Sequence, residues 1–175
     1  MNYKSDDNIA NRLTHNQKEF FDKLSFYIDK PLFFYGSILR PDYIPGKSDI
    51  DVDIFTDNEF SSIQMLCSFL HIPRSQFRRV VFKINSQMVY GYKGKYEDDK
   101  NGVNVELSVY NNKYKDIVLD DHNKCRYLPI YITVSLYIIK ILFYKLNLIS
   151  KQAYKRCKRF LMNPGDELKF IEMDE

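Results

Sequence analysis

Asp49, Asp51 and Asp53 alternate with Ile50, Val52 and Ile54. In a β-strand that alternation puts the three carboxylates, with Phe55, on one face and the three aliphatic residues on the other. Adjacent carboxylates raise one another's pKa, and a fold tolerates such a row when a hard cation neutralises it. Mg²⁺ is the natural candidate, since it takes oxygen ligands and keeps room for substrate phosphates. Eleven residues upstream, Phe33-Phe34-Tyr35 reads as a short buried strand that ends in a tight turn at Gly36-Ser37. The bland alternative is a surface strand with wet aspartates after an ordinary Gly-Ser turn. It accounts for the alternation but not for the pairing of the two stretches.

An apolar residue, Gly36-Ser37, a spacer, then Asp49-Ile50-Asp51-Val52 resembles the signature of the nucleotidyltransferase superfamily, the polymerase-beta-like fold. The resemblance covers about residues 14–110, with a weaker match through about 162. It implies transfer of a nucleotidyl group from an NTP to a hydroxyl. Asp49 and Asp51 would be ligands that bracket two Mg²⁺ ions, with Mn²⁺ as a substitute. A third carboxylate is then required, and Glu106 is the candidate. It is the acidic residue within a clean later strand, where Val103, Val105, Leu107 and Val109 face the core and Asn104, Glu106 and Ser108 face away. The family more often has Asp there. Gly36 would let the backbone approach a triphosphate, and Ser37 would offer a hydroxyl and an amide.

Lys140, within Ile138-Ile139-Lys140-Ile141-Leu142, is similar to the lysine that reaches the triphosphate in poly(A)-polymerase-like members. It shares a helical stripe with Thr133, Tyr137 and Tyr144, and that stripe could equally face water. Lys47 and Arg40, in the loop beside the turn, are further candidates for nucleotide binding. Pro41 departs from the short helix that often follows Gly-Ser in the family and leaves the role of Arg40 open. Asp53 stands where an apolar residue is commoner and is read as a solvated charge.

The elements that must position these residues are legible in outline. Thr14 to Gln17 has the form of a capping box, and Phe20, Phe21, Leu24, Tyr27 and Ile28 follow at helical spacing, ending near Asp29. Strands are expected over 32–35 and 49–55. A second capping box at Thr56 to Glu59 opens a helix faced by Phe60, Ile63, Cys67 and Leu70. Strands over 79–84 and 88–92 join near Asn85-Ser86, and 93–102 reads as an exposed loop before the strand at 103. Residues 111–127 read as irregular. A buried helix is expected over about 129–146 and a last helix, capped by Ser150, through Met162. The latter has Ala153, Cys157, Phe160 and Leu161 inside and Lys151, Lys155, Arg156, Lys158 and Arg159 outside, most simply as a solvated face. Asn163-Pro164-Gly165 ends it. The expected fold is α/β, a small mixed, twisted sheet in a single domain. Helices cover the Ile50/Val52/Ile54 side, the open side carries the site, and further helices follow at the C-terminal end.

Composition agrees with a globular chain: 175 residues, 45% hydrophobic and 28% charged. The net charge of +3 is too small to argue by itself for nucleic-acid binding. Cys67, Cys125 and Cys157 are scattered and form no Cys-x-x-Cys pair, which suggests a reducing, cytoplasmic setting. His122 and Cys125 stand three apart without the second pair that a zinc site needs. The apolar run Leu128–Ile149 carries Lys140 near its middle, which is unfavourable in a bilayer by roughly 3 kcal/mol, so no membrane partner is expected. The expected partners are an NTP and an acceptor. The acceptor is a nucleic-acid 3′ end or, as in antitoxin-like and antibiotic-modifying members, a protein or small molecule. A protein partner that supplies acceptor recognition, an inactive family member acting as a binding module, and an acidic-faced protein with an accidental motif complete the alternatives.

Overall fold

In the computed structural model, which describes residues 9–124, 126–162 and 170–172, six strands form one mixed sheet. They are β1 (Phe33–Tyr35), β2 (Ile50–Thr56), β3 (Arg78–Ile84), β4 (Gln87–Asp98), β5 (Val103–Asn111) and β6 (Phe170–Glu172), in the spatial order β1-β2-β5-β4-β3-β6. Only β2 and β5 pair in parallel; the other neighbours are antiparallel. Five α-helices accompany the sheet: α1 (His15–Ile28), α2 (Glu59–Leu70), α3 (Lys115–Lys124), α4 (Ile130–Tyr144) and α5 (Lys151–Met162).

Helix α1 starts as its sequence dictates. The Thr14 hydroxyl accepts from the Gln17 backbone N–H, and the Gln17 side chain accepts in return from the Thr14 N–H. Leu24 and Ile28 bury with Ile50, Val52, Ile54 and the odd-numbered residues of β5 in one core. Helix α2 joins this core through Ile63 and Leu66. The opposite sheet face is split. Half is closed by a smaller cluster in which Phe33, Phe55, Val89 and Tyr110 meet Val118 of α3, and the other half carries the candidate site.

Several local expectations are corrected. The cap of α2 is Asn58, whose side chain accepts from the Ser61 N–H. Thr56 instead receives the Asn58 N–H at 3.2 Å. The hairpin turn is Asn85-Ser86, both at positive φ (47° and 67°), as a two-residue primed turn requires. Strand β4 continues six residues past Tyr92, pairing Lys93 to Asp98 with β5. It contains Gly94 because a Cβ there would press into the Phe77 ring. Residues 115–124, read as irregular, form α3. It escapes a periodicity reading because Val118 is its one buried residue.

The two C-terminal helices differ most from expectation. Helix α4 buries only Leu136 and Lys140, so it is not the core helix that its composition suggests. On α5 the buried residue is Tyr154, stacked on Phe143 at 4.7 Å. Cys157 and Phe160 of the presumed inner face are exposed, and Lys158 of the outer face is half-buried. Among the described residues no helix is long and apolar enough to cross a membrane. Residues 163–169 and Cys125 lie outside the described residues.

Candidate active site

The site is built by strand register. On its face of the sheet one row crosses Tyr35 of β1, Asp51 of β2, Glu106 of β5 and Lys95 of β4, each opposite the next. The row beside it crosses Phe33, Asp53, Ser108, Lys93 and Arg78. The parallel pairing of β2 with β5 thus sets Asp51 and Glu106 side by side although 55 positions separate them. Asp49 lies at the entrance to β2, half-buried like Asp51 and Glu106.

Charge is balanced by lysines of β4. Lys93 pairs with Glu106, and Lys95 lies 3.8 Å from Asp49 while also bonding Glu97 at 2.7 Å. Burial, and then the charges of Glu106 and Asp49, push the Asp51 carboxyl up to about 6, against the pull of Lys158 and Lys93. Three carboxylates with this electrostatic strain form an oxygen-only donor set, the chemistry a hard divalent cation prefers. Gly36 adds a second element of fit. At φ 73° it is in the left-handed region, and a Cβ there would collide with Asp51 Oδ2. Glycine therefore lets the carboxylate lie against the turn. Among the described residues no three such side chains are already gathered in coordinating geometry; the positive charge they require comes from Lys93 and Lys95.

Gly36 to Leu39 make a single 3₁₀ turn that Arg40 ends in extended conformation, as Pro41 demands. The buried Ser37 hydroxyl donates to the Asp49 carbonyl at 3.4 Å, tying the turn to the start of β2. The loop that follows is fixed from below. Asp42 is fully buried and accepts from Arg40 Nε at 2.9 Å and from Lys140 Nζ at 2.8 Å. Lys140 Nζ also donates to the Asp42 carbonyl. Burial would raise the Asp42 carboxyl, but the Arg40 hydrogen bond and the Lys140 charge hold it below its ordinary range. Arg12 adds two bonds of 2.8 Å to the carbonyls of Ile38 and Arg40. Arg40 and Lys140 are therefore placed in a buried ion cluster beneath the loop, not on the open cleft where the nucleotide expectation put them. Lys47 is exposed at the loop's tip.

Asp53 is also corrected. It is not solvated but fully buried, with His122 Nδ1 of α3 at 3.0 Å. The His122 ring stacks on Tyr35 at 3.9 Å, and the Tyr35 hydroxyl lies 3.4 Å from Ser108 Oγ. Burial raises the Asp53 carboxyl, opposed by His122. Sequence reasoning missed this support because His122 sits on a helix with almost no apolar periodicity. Its signal was the alternation that carries Asp53 one pleat beyond Asp51.

Two openings flank the carboxylates. One is a cavity of about 400 Å³ lined by Gln76, Arg78, Lys93, Lys95 and Glu106. On the other side stand Tyr144 and Tyr154, close enough to Asp49 for its charge to raise both hydroxyls further after burial has done so.

A family model described as a nucleotidyltransferase domain matches residues 16–144. Among solved structures the chain is similar to a cytoplasmic RNA terminal U-transferase, at 13% identity and a TM-score of 0.37 over 77% of this chain and 43% of that one. It is also similar to the RNA terminal uridylyl transferase Cid1, at 16% identity and a TM-score of 0.37 over 81% and 41% of the two chains. The chain thus spans less than half the length of either structure. No curated protein matches it in sequence.

Proposed function

The chain belongs to the nucleotidyltransferase domain family, and on that premise we propose that it moves an NMP from an NTP to the hydroxyl at a nucleic-acid 3′ end. The observation that carries this reading is the register that sets Asp51 opposite Glu106 on a half-open face. Asp49, Asp51 and Glu106 would hold two Mg²⁺ ions, Asp51 between them and Glu106 toward the acceptor. When bound, such a pair neutralises charge on the attacking and leaving oxygens of an in-line displacement.

The chain's own residues do the remaining work in this reading. The Gly36-Ser37 turn receives the triphosphate, with backbone amides and no Cβ at the closest approach. The Ser37–Asp49 bond and the Arg40–Asp42–Lys140 cluster keep that turn in register with β2. Arg78, Lys93 and Lys95, beside Glu106 in the 400 Å³ cavity, supply the positive field that draws in an acceptor phosphate backbone.

The test is incubation with each labelled NTP, Mg²⁺ and short single-stranded RNA or DNA. Labelled oligonucleotides longer by one or more residues are expected, with loss of product on chelation. Label appearing instead on a protein or small molecule would keep the chemistry and replace the acceptor. No transfer to any acceptor would leave an inactive binding module.

A further inference from the structure

The outer face of α4 is apolar without interruption and faces solvent. No charged residue occurs between Ile130 and Ile139, yet Ile130 is 83% exposed, Tyr131 71% and Ile138 51%. Ile130, Val134 and Ile138 repeat every four residues and so form one stripe. Beside it, Ser135 and Ile139 of α4 and Cys157, Phe160 and Leu161 of α5 line a concave groove of about 450 Å³. Phe160 on its wall is 72% exposed. A contiguous exposed apolar surface of this kind marks an interaction site more often than free surface.

What covers it follows from shape and charge. The rim of the groove is basic: Arg156 lines it, and Lys155 and Arg159 are exposed on the same helix. A second copy of the chain would bring this rim against itself and repel. A lipid surface meets a convex apolar ridge better than a concavity between two helices. We propose that the groove between α4 and α5 docks an amphipathic helix of a protein partner, its apolar stripe in the groove and acidic residues on its flanks. This is the helix-in-groove mode, with anchors at helical spacing, and the charged rim sets orientation and partner choice. The surface is separate from the carboxylate site and does not depend on its chemistry.

The experiment is fluorescence anisotropy with a labelled helical peptide of about 18 residues, leucines along one stripe and glutamates on both flanks. A dissociation constant on the order of 10 µM is expected, with a lysine-flanked version of the same peptide at least about tenfold weaker. Ile138→Glu and Phe160→Ser should each weaken binding about tenfold or more. Arg156→Glu combined with Arg159→Glu should erase the preference for the acidic peptide. All four positions are on the surface, and circular dichroism verifies that the variants fold. Equal or tighter binding of the lysine-flanked peptide overturns the proposal, as does failure of the acidic peptide to bind at about 1 mM. Dimerisation, or co-sedimentation with anionic phosphatidylglycerol vesicles, that Ile138→Glu abolishes while the peptide does not bind would overturn it in favour of those occupants.

Discussion

Lys140 reaches 98 residues back along the chain to place its ammonium 2.8 Å from Asp42 Oδ2, where Arg40 already bonds the other oxygen. The cluster holds two cations and one anion, all essentially inaccessible. Removing the anion is therefore worse than removing one cation. Asp42→Asn is expected to destabilise the protein by about 3–5 kcal/mol, since it strands two buried charges. Lys140→Met leaves the Arg40–Asp42 pair neutral and should cost clearly less. Chemical denaturation of the two variants gives the ranking, and the reverse order would mean that Lys140, not Asp42, organises the loop.

Asp51→Asn should abolish nucleotidyl transfer and leave the fold intact. The wild-type Asp51 carboxyl stands at about 6 in the native state against about 3.9 in an unfolded chain. Between those values the native state keeps a proton that the unfolded chain has released. Stability on this account is greatest below about pH 4 and declines as pH rises through about 6. Asparagine does not titrate, so the variant should gain on the wild type across that window and remain the more stable above it. Urea midpoints measured from pH 4 to 8 without divalent metal check this; a gap that closes toward pH 8 would contradict it.

Glu106→Gln is expected to separate binding from turnover. In the proposed reading the triphosphate rests on the Gly36-Ser37 turn and Glu106 serves the acceptor side. The variant should therefore lower kcat by about 100-fold or more while changing the dissociation constant for NTP by only about threefold or less. Equal losses in both quantities would place Glu106 at the triphosphate.

NTP with Mg²⁺ should raise the melting temperature, because a ligand of the native state stabilises it. Gly36→Val should lower the starting stability, since a β-branched residue at φ 73° is strained and its Cβ collides with Asp51. It should also shrink the NTP-induced gain. Differential scanning fluorimetry reads both, and a full NTP response in Gly36→Val would move the triphosphate away from this turn.

The parts of this architecture that could be read from the chain are those governed by a local period. Strict alternation fixed the faces of β2 and β5, and Thr14 with Gln17 announced α1. What stayed hidden depends on distant partners. Nothing near Lys140 in sequence signals Asp42, so an apolar-flanked lysine looked equally suited to a phosphate or to water. Lys93, Lys95 and Glu97 made the second half of β4 look like a loop, because their side of the strand serves the site and Gly94 yields its place to Phe77. The burial of Asp53 required α3, whose sequence is polar except where Val118 packs. The exposure of α4 was beyond reach for the opposite reason: composition says that a helix is apolar, not whether anything covers it.

The parallel seam between β2 and β5 has a consequence for biosynthesis. Parallel neighbours cannot be joined by a tight hairpin. Here the intervening chain forms α2 and the β3–β4 hairpin before β5 slots in between β2 and β4. A nascent polypeptide that has emerged only as far as residue 102 carries Asp49 and Asp51 but lacks the strand that brings Glu106. Its β2 also presents an unfilled edge, ready to pair with any extended segment nearby. The constellation of carboxylates thus comes into being late and all at once, when a single central strand inserts, and until then the growing chain is at its most vulnerable to misassociation.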